Sequence, residues 1–250
     1  MTSKKVMLTA VLSGVLAALT GCSWMSYFQQ PVAPLKAPYV NRHVWAIAPF
    51  NNDSGSLQAD GLVLADHVQR QLANAQNLDV LPVNRTLEAM QALGMPQVTS
   101  PAQAMQLLAA LGCDGLVVGD ITAYDPYDPP KLGLTLELYV NERVDHLEAI
   151  QLRRLTVAAS DTSPAAAGPA RVREPVSMVS AVLDASDPRT RDLLERYGVK
   201  RGPNDEPDSW RRYRISMDLY SEFVAYTMSW RLLEAERQRL APPPATQPAR

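Results

Sequence analysis

The chain has 250 residues, of which 46% are hydrophobic and 20% are charged. This length suits one large domain or two small ones. Lys and Arg number 24 against 26 Asp and Glu, so the net charge is −2, and the chain lacks the basic excess of a general nucleic-acid-binding protein. We therefore expect no nucleic-acid partner.

The first segment of the chain has the pattern of a signal peptide. Lys4 and Lys5 give a positively charged start, and residues 6–20 are apolar or small and carry no charge. This stretch is shorter than the roughly 20 residues that a membrane-spanning helix needs, but it suits the apolar core of a signal peptide. The pattern predicts an exported protein.

The end of this segment resembles the lipobox of bacterial lipoproteins, with Leu19, Thr20 and Gly21 before Cys22. The resemblance implies that residues 1–21 are a signal peptide cut off before Cys22, and that Cys22 is diacylated on its sulfur. Two or more acyl chains hold a protein on a membrane durably, whereas a single chain binds reversibly. An ordinary secretory signal that ends near a cysteine is the alternative interpretation.

The residues after Cys22 bear on location and on the distance from the membrane. In many lipoproteins an aspartate directly after the lipidated cysteine indicates retention at the inner membrane, and this chain has Ser23 there. The resemblance therefore implies the periplasmic face of the outer membrane rather than the inner membrane. Residues 22–41 are predicted to be the lipidated cysteine and a tether, because their prolines favour extended chain.

From His43 onward, strand and helix patterns alternate. Apolar runs bounded by polar turns predict strands, and apolar residues at helical spacing predict helices. In residues 132–140 every second residue is leucine or valine, which predicts a strand with one apolar face. Ser100, Pro101 and Gln103 form a capping box, which predicts a helix start. The predicted strands are 43–50, 78–83, 114–124, 132–140 and one within 147–158, and the predicted helices are 59–75, 84–94 and 101–111.

This order predicts an α/β fold with a mixed β-sheet of about five strands, flanked by helices and covered by a long carboxyl-terminal helix. Three stretches, AIAPFNNDSG, LDVLPVNRTLEAMQALG and AALGCDGLVVGDITAYD, resemble the amino-terminal region of CsgG-type curli-secretion lipoproteins and the amino-terminal domain of TolB. The resemblance covers residues 43–140, within a domain predicted over 42–160. It implies a periplasmic, non-enzymatic module for envelope assembly.

The chain carries no pattern typical of a catalytic or metal site. The turn NNDSGS lacks the second glycine and the lysine of a phosphate-binding loop, and no serine lies in a G-x-S-x-G sequence. No metal-ligand spacing connects the three histidines, His43, His67 and His146. No glycine-spaced calcium loop surrounds the nearby aspartates, Asp120, Asp125 and Asp128. Cys113, with which an acylated Cys22 cannot pair, is expected to have a packing role. We expect no catalytic residue, no metal and no cofactor apart from the lipid.

Residues 161–240 are predicted to be a loop followed by a helical extension, and residues 241–250 a disordered tail. A short helix is predicted from Pro188 to Gly198, and one long helix from Ser209. The apolar residues of the long helix form two ridges, which favours a helix that covers one face of the sheet. The alternative is a helix that docks a partner through its aromatic residues, Tyr220, Phe223, Tyr226 and Trp230.

Together these features predict a lipid-anchored, periplasm-facing binding or scaffold module in cell-envelope assembly or secretion. Its partners are then the membrane, through the anchor, and a protein of the envelope, while the sequence leaves the oligomeric state open. The first alternative is a subunit of an oligomeric CsgG-like secretion channel, in which the leucines of 132–140 would face lipid. An envelope hydrolase is the second. We expect Leu134, Leu136 and Leu138 to be buried inside the domain instead.

Overall fold

The computed structural model describes residues 34–141, 174–201 and 208–241, and a mixed six-stranded sheet forms its centre. The strands are β1 (His43–Ile47), β2 (Asn51–Asn52), β3 (Leu78–Val80), β4 (Gly115–Asp125), β5 (Lys131–Val140) and β6 (Ser177–Asp184). Their order is β3-β1-β4-β5-β6, and β2 also pairs with β4. β1 is parallel to β3 and β4, whereas β5 is antiparallel to β4 and β6. The predicted mixed α/β sheet is confirmed.

The helices begin and end at local signals in the sequence. Within the described ranges they are α1 (Gly61–Ala73), α2 (Val83–Ala92), α3 (Pro101–Leu111), α4 (Pro188–Arg201), α5 (Arg211–Ile215) and α6 (Met217–Leu240). The Asp60 carboxylate accepts hydrogen bonds from the first-turn N–H groups of α1. Gly112 ends α3 in the left-handed conformation, with φ of 62°. Of these helices, none is both long enough and apolar enough to cross a membrane.

One face of the sheet is covered by α6, which packs on β5, β6 and α1. The alternating leucines of β5 are buried, with at most 1% of each exposed, and they are Leu132, Leu134, Leu136 and Leu138. The strand period of two puts all four on one side of the sheet. The prediction that these leucines are buried inside the domain is confirmed.

Within the part of the chain that the structure describes, the opposite face of the sheet is covered only in part. Helices α2 and α3 pack a buried apolar cluster against β1 and β4, and the cluster reaches β5 only at Tyr139. Beyond that residue, Met178 and Val182 of β6 are exposed on the same face. Helices α2 and α3 therefore cover only part of this side of the sheet, and the edge of the covered part forms one wall of a cleft.

Three predictions for the carboxyl half are wrong. Residues 161–240 are predicted to be a loop and a helical extension, whereas Ser177–Asp184 forms strand β6, paired with β5. Two predicted helix boundaries also differ. The helix predicted from Ser209 is divided at Ser216, whose backbone is extended, and the Ser216 hydroxyl accepts a hydrogen bond from the Leu219 N–H to begin α6. Helix α4 continues to Arg201 instead of ending at Gly198. The glycine is needed for packing, because a Cβ atom there would lie 2.4 Å from the Trp210 Cα.

The predicted tether over residues 22–41 extends too far at its carboxyl end. Leu35, Ala37 and Tyr39 are buried. Lys36 pairs with Gln76 in an isolated parallel bridge, and the Ala37 N–H donates to the Gln76 carbonyl at 3.0 Å. Because burial of these apolar side chains favours packing over free chain, residues 35–39 belong to the folded domain and not to a free tether. The rest of the tether, the predicted strand in 147–158 and residues 242–250 of the tail lie outside the described residues.

Candidate functional site

A polar cleft of about 510 Å³ lies where the part of the sheet covered by α2 and α3 meets the part that they leave uncovered. It is lined by the residues at the end of β2, by the segment that leads into α3, and by side chains of β4 and β5. The lining comprises Asn51, Asn52, Asp53, residues 97–101, Val118, Asp120, Glu137, Tyr139 and Pro175. Because these residues come from five separate parts of the chain, the cleft exists only in the folded domain.

Asn51 joins three of these parts. β2 runs parallel to β4, and the register places Asn51 beside Asp120. The Asn51 Nδ2 donates to Asp120 Oδ1 at 2.8 Å and to the Val98 carbonyl at 3.0 Å. These two bonds use both protons of the amide. They hold the segment before α3 against the sheet and fix the orientation of the Asp120 carboxylate.

Tyr139 and Glu137 form the β5 side of the cleft. The Tyr139 hydroxyl donates to Glu137 Oε2 at 2.7 Å. Burial raises the pKa of Tyr139, and the hydrogen bond to Glu137 and the negative charges of Glu137 and Asp120 raise it further. The phenol therefore stays neutral and remains a donor at physiological pH.

The start of α3 borders the cleft and has its own caps. The Ser100 hydroxyl accepts a hydrogen bond from the Gln103 N–H, as the capping box predicts. The Gln103 Oε1 accepts from the Thr99 N–H at 2.8 Å rather than from the Ser100 N–H. These bonds fix the rim of the cleft at Thr99 and Ser100.

The charges of the cleft are all negative. Asp53, Asp120 and Glu137 line it, and its described lining contains no Lys, Arg or His. Such a surface attracts cationic groups and hydrogen-bond donors, and it repels phosphates and carboxylates. Ser100 is the one serine of this lining, and its hydroxyl already caps α3. The arrangement supplies acceptors for binding, without a nucleophile beside a base in the lining.

The predicted lipidation residues, Leu19, Thr20, Gly21 and Cys22, lie outside the described residues, so lipidation stays a prediction. Cys113 is a buried free thiol. Its Sγ lies 3.3 Å from the Gly115 carbonyl, to which it donates. Burial raises the pKa of Cys113 to about 11, so the thiol stays protonated at neutral pH, in keeping with the packing role expected for it.

The histidines and aspartates considered as metal ligands are not brought together. His43 stacks on Tyr39 with ring centroids 3.9 Å apart. His67 belongs to α1, and its ring lies beside Asp218 of α6. His146 lies outside the described residues. Across the ranges that the structure describes, no three His, Cys, Asp or Glu side chains are grouped as a metal site requires.

The candidate docking residues on α6 are unsuited to that role. Tyr220, Phe223 and Tyr226 are at most 3% exposed, and Trp230 is half-buried. Phe223 and Tyr226 pack on Tyr197 of α4, with ring centroids 5.5 and 5.2 Å apart. A partner cannot reach side chains that are buried in the domain, so the proposed docking through these three residues is wrong. The favoured prediction, a helix that covers one face of the sheet, is confirmed.

A buried polar cluster around Glu236 was missed by sequence reasoning. Glu236 of α6 is fully buried. It accepts hydrogen bonds from the Tyr39 hydroxyl at 2.9 Å, from the Ser177 hydroxyl at 2.8 Å and from the Arg239 guanidinium at 2.7 and 2.8 Å. The only signal in the sequence is its position three residues after Leu233, on an apolar ridge of the predicted helix.

No protein-family model matches the chain, and no curated protein matches it. It is similar to the LpoB carboxyl-terminal domain from Salmonella enterica, at 15% identity over 42% of this chain and 74% of that one, with a TM-score of 0.34. It is also similar to lipoprotein GNA1162 from Neisseria meningitidis, at 12% identity over 47% of this chain and 99% of that one, with a TM-score of 0.33. The hypothetical protein CT253 from Chlamydia trachomatis is similar at 14% identity over 79% of this chain and 94% of that one, with a TM-score of 0.34. These TM-scores are too low to assign a family or a function, and the CsgG and TolB resemblance stays a prediction.

Proposed function

We propose that this chain is a lipid-anchored, periplasm-facing binding or scaffold module of the cell envelope. The observation that carries the proposal is the sequence of residues 19–22, which follows a positively charged start and an apolar stretch. Position, charge pattern and motif all agree with a lipoprotein signal. Ser23 after the cysteine favours the periplasmic face of the outer membrane.

The start of the domain supports a short connection to the membrane. Because Leu35 is already buried in the domain, at most residues 23–34 separate the lipidated cysteine from the packed chain. A chain spans at most about 3.3–3.6 Å per residue, so Pro34 lies within roughly 40 Å of Cys22. Such an anchor raises the effective concentration of the domain for partners at the same membrane without any new contact.

The structure favours a binding module over the channel alternative. In a channel subunit the leucines of β5 would face lipid, whereas here they are buried in the domain. The polar cleft is accessible and presents carboxylate and amide oxygens. Binding of a partner at the cleft, close to the membrane, is therefore the function we propose.

Labelled palmitate tests the anchor. The wild type and Cys113→Ala should take up the label, whereas Cys22→Ala should not and should accumulate as unprocessed or soluble protein. Cys113 is a matched control because it is the other cysteine of the chain and is buried. Label in Cys22→Ala, or none in the wild type, would contradict the anchor.

Photo-crosslinking in intact cells tests partner binding at the cleft. A photoreactive amino acid at exposed Thr99, on the cleft rim, should capture an envelope protein. The same group at exposed Arg196, on α4 behind the sheet, is the control and should not capture it. The yield at Thr99 should fall when Cys22→Ala removes the anchor. Equal capture from both positions would argue against the cleft as the binding site.

A further inference from the structure

The open sheet face is the part of the sheet beside the cleft that no helix covers in the described ranges. Its six residues are Asp120, Thr135, Glu137, Met178, Ser180 and Val182. The register pairs Asp120 with Thr135, Thr135 with Ser180, and Glu137 with Met178, so these side chains lie on one side of the sheet. The hydroxyls of Thr135 and Ser180 are 2.8 Å apart across the two strands. The open sheet face is therefore continuous with the cleft through Asp120 and Glu137.

Two apolar side chains of this face are exposed to solvent. Met178 is 58% exposed and Val182 is 55% exposed, although both lie within a paired strand. Their neighbour in the strand, Leu183, points to the other side and is buried. Exposed apolar side chains that adjoin a polar cleft are typical of an interaction surface.

The charges next to these apolar residues are uncompensated carboxylates. Asp120 and Glu137 each use one oxygen, for Asn51 and Tyr139 respectively. Among the described residues, neither carboxylate forms an ion pair. Lys131, at the far end of β5, does form one, because its Nζ lies 2.8 Å from Asp184 Oδ2. With respect to the described residues, the second oxygens of Asp120 and Glu137 therefore remain as acceptors for an external cation.

We infer that the open sheet face and the cleft bind an extended segment of a partner protein, which places a Lys or Arg side chain between Asp120 and Glu137 and an apolar side chain on Met178 and Val182. This inference rests on the proposed function and specifies the chemistry of the partner. Charge complementarity selects the basic group. In an extended segment residues i and i+2 point to the same side, so a basic and an apolar residue two positions apart can both contact this surface.

The probe for this inference is a short fluorescein-labelled peptide in which lysine and valine are two positions apart, with serine between them, so that both side chains point to the same side of the extended peptide. Its matched control has glutamine in place of each lysine. Binding is measured by fluorescence anisotropy to the mature full chain in nanodiscs of zwitterionic lipid, with empty nanodiscs as the blank. The lysine peptide should bind more tightly than the glutamine peptide, and added salt should weaken its binding because ionic contacts are screened.

Variants assign the binding to particular residues. Glu137→Gln and Asp120→Asn should each weaken binding of the lysine peptide by about tenfold, the loss expected for one hydrogen bond to a charged group. Met178→Ser should weaken binding of both peptides several-fold. Glu88→Gln is the control, because this exposed carboxylate lies on α2 outside the open sheet face. Thermal melts followed by circular dichroism should be the same for all four variants.

Two outcomes would overturn the inference. One is equal affinity for the lysine and glutamine peptides, or unchanged affinity in both carboxylate variants. The other is a wild-type dimer that Met178→Ser dissociates while neither peptide binds, which would make a second copy the occupant. The anchor is tested separately: a chain without palmitate on Cys22 that still binds the lysine peptide would refute the proposed anchoring and leave this inference standing.

Discussion

His67 in α1 is a buried histidine held between two charged partners. Only 1% of it is exposed. Its Nδ1 lies 2.7 Å from Arg70 Nη2, and its Nε2 lies 3.1 Å from Asp218 Oδ1. Since a guanidinium only donates, Nδ1 accepts, and Nε2 carries the proton that is donated to Asp218. Burial lowers the pKa of His67 and the charge of Arg70 lowers it further, while Asp218 and Glu222 oppose this shift.

This geometry predicts a pH-dependent stability. Because the pKa of His67 is lower in the folded state than its ordinary value of 6.5, the unfolded chain binds more protons as the pH falls. The contribution of neutral His67 is therefore complete above about pH 6.5 and is lost as the pH falls through the folded-state pKa. Urea unfolding between about pH 7.5 and 5.5 should show a smaller decrease of stability in His67→Gln than in the wild type. Parallel pH profiles would contradict the role of His67.

Glu236 and Glu234 give a matched comparison on one helix, because each forms an ion pair with an arginine three residues later. Glu236→Gln should lower the free energy of unfolding by about 1–3 kcal/mol, since Arg239 loses its buried partner but is itself partly exposed. Glu234→Gln should cost less than about 1 kcal/mol, because that pair with Arg237 is exposed to solvent. Urea denaturation measures both. Equal costs would show that burial of Glu236 adds nothing to its pair.

At the scale of elements, α6 is the helix that organises the carboxyl half. The residues 223–229 are buried without interruption, so the helix is enclosed on nearly all sides. It packs on β5, β6 and α1, and its aromatic residues also contact α4. The sequence predicted a helix that covers the sheet. The further burial comes from α4, whose Tyr197 ring contacts both Phe223 and Tyr226.

Phe223 is the residue through which this packing can be tested. Phe223→Ala should lower the free energy of unfolding by about 3–5 kcal/mol, because it leaves a cavity among buried rings. Phe223→Leu should fold and lose less, and Trp230→Ala should cost less still because Trp230 is only half-buried. Thermal and urea unfolding give the ranking. A larger loss for Trp230→Ala would contradict the packing described for α6.

At the scale of the whole molecule, the first residues of the domain are bound to its last helix. The Tyr39 hydroxyl donates to Glu236, and the Arg237 guanidinium donates to the Lys36 carbonyl at 3.0 Å. Gln76, beside β3, also accepts a backbone hydrogen bond from Ala37. The point at which the chain leaves the domain toward the predicted anchor is therefore fixed on the folded surface.

Two truncations test where the domain begins. A chain that starts at Pro34 should unfold with the same free energy as one that starts at Ser23. A chain that starts at Asn41 should lose about 3 kcal/mol or more, because it lacks the buried side chains of Leu35 and Tyr39. Urea unfolding distinguishes the cases. If the chain that starts at Asn41 is as stable as the others, the tether does extend to residue 41.

The sequence by itself determined the α/β class and, apart from the two-residue strand β2, the strands and helices between His43 and Val140, because strand alternation, helical spacing and caps such as Ser100 act over a few neighbouring residues. It did not predict β6, which lies in residues 161–240, a region predicted to be a loop and a helical extension. It also carries the lipobox hypothesis at Cys22, which is a local motif. Only the tertiary structure decided that Asn51, Asp120 and Glu137 share one cleft, that the aromatic residues of α6 are buried, and that Glu236 binds Tyr39. The physical reason is distance along the chain: these contacts depend on strand register and helix packing between segments far apart in sequence, and no local pattern encodes either.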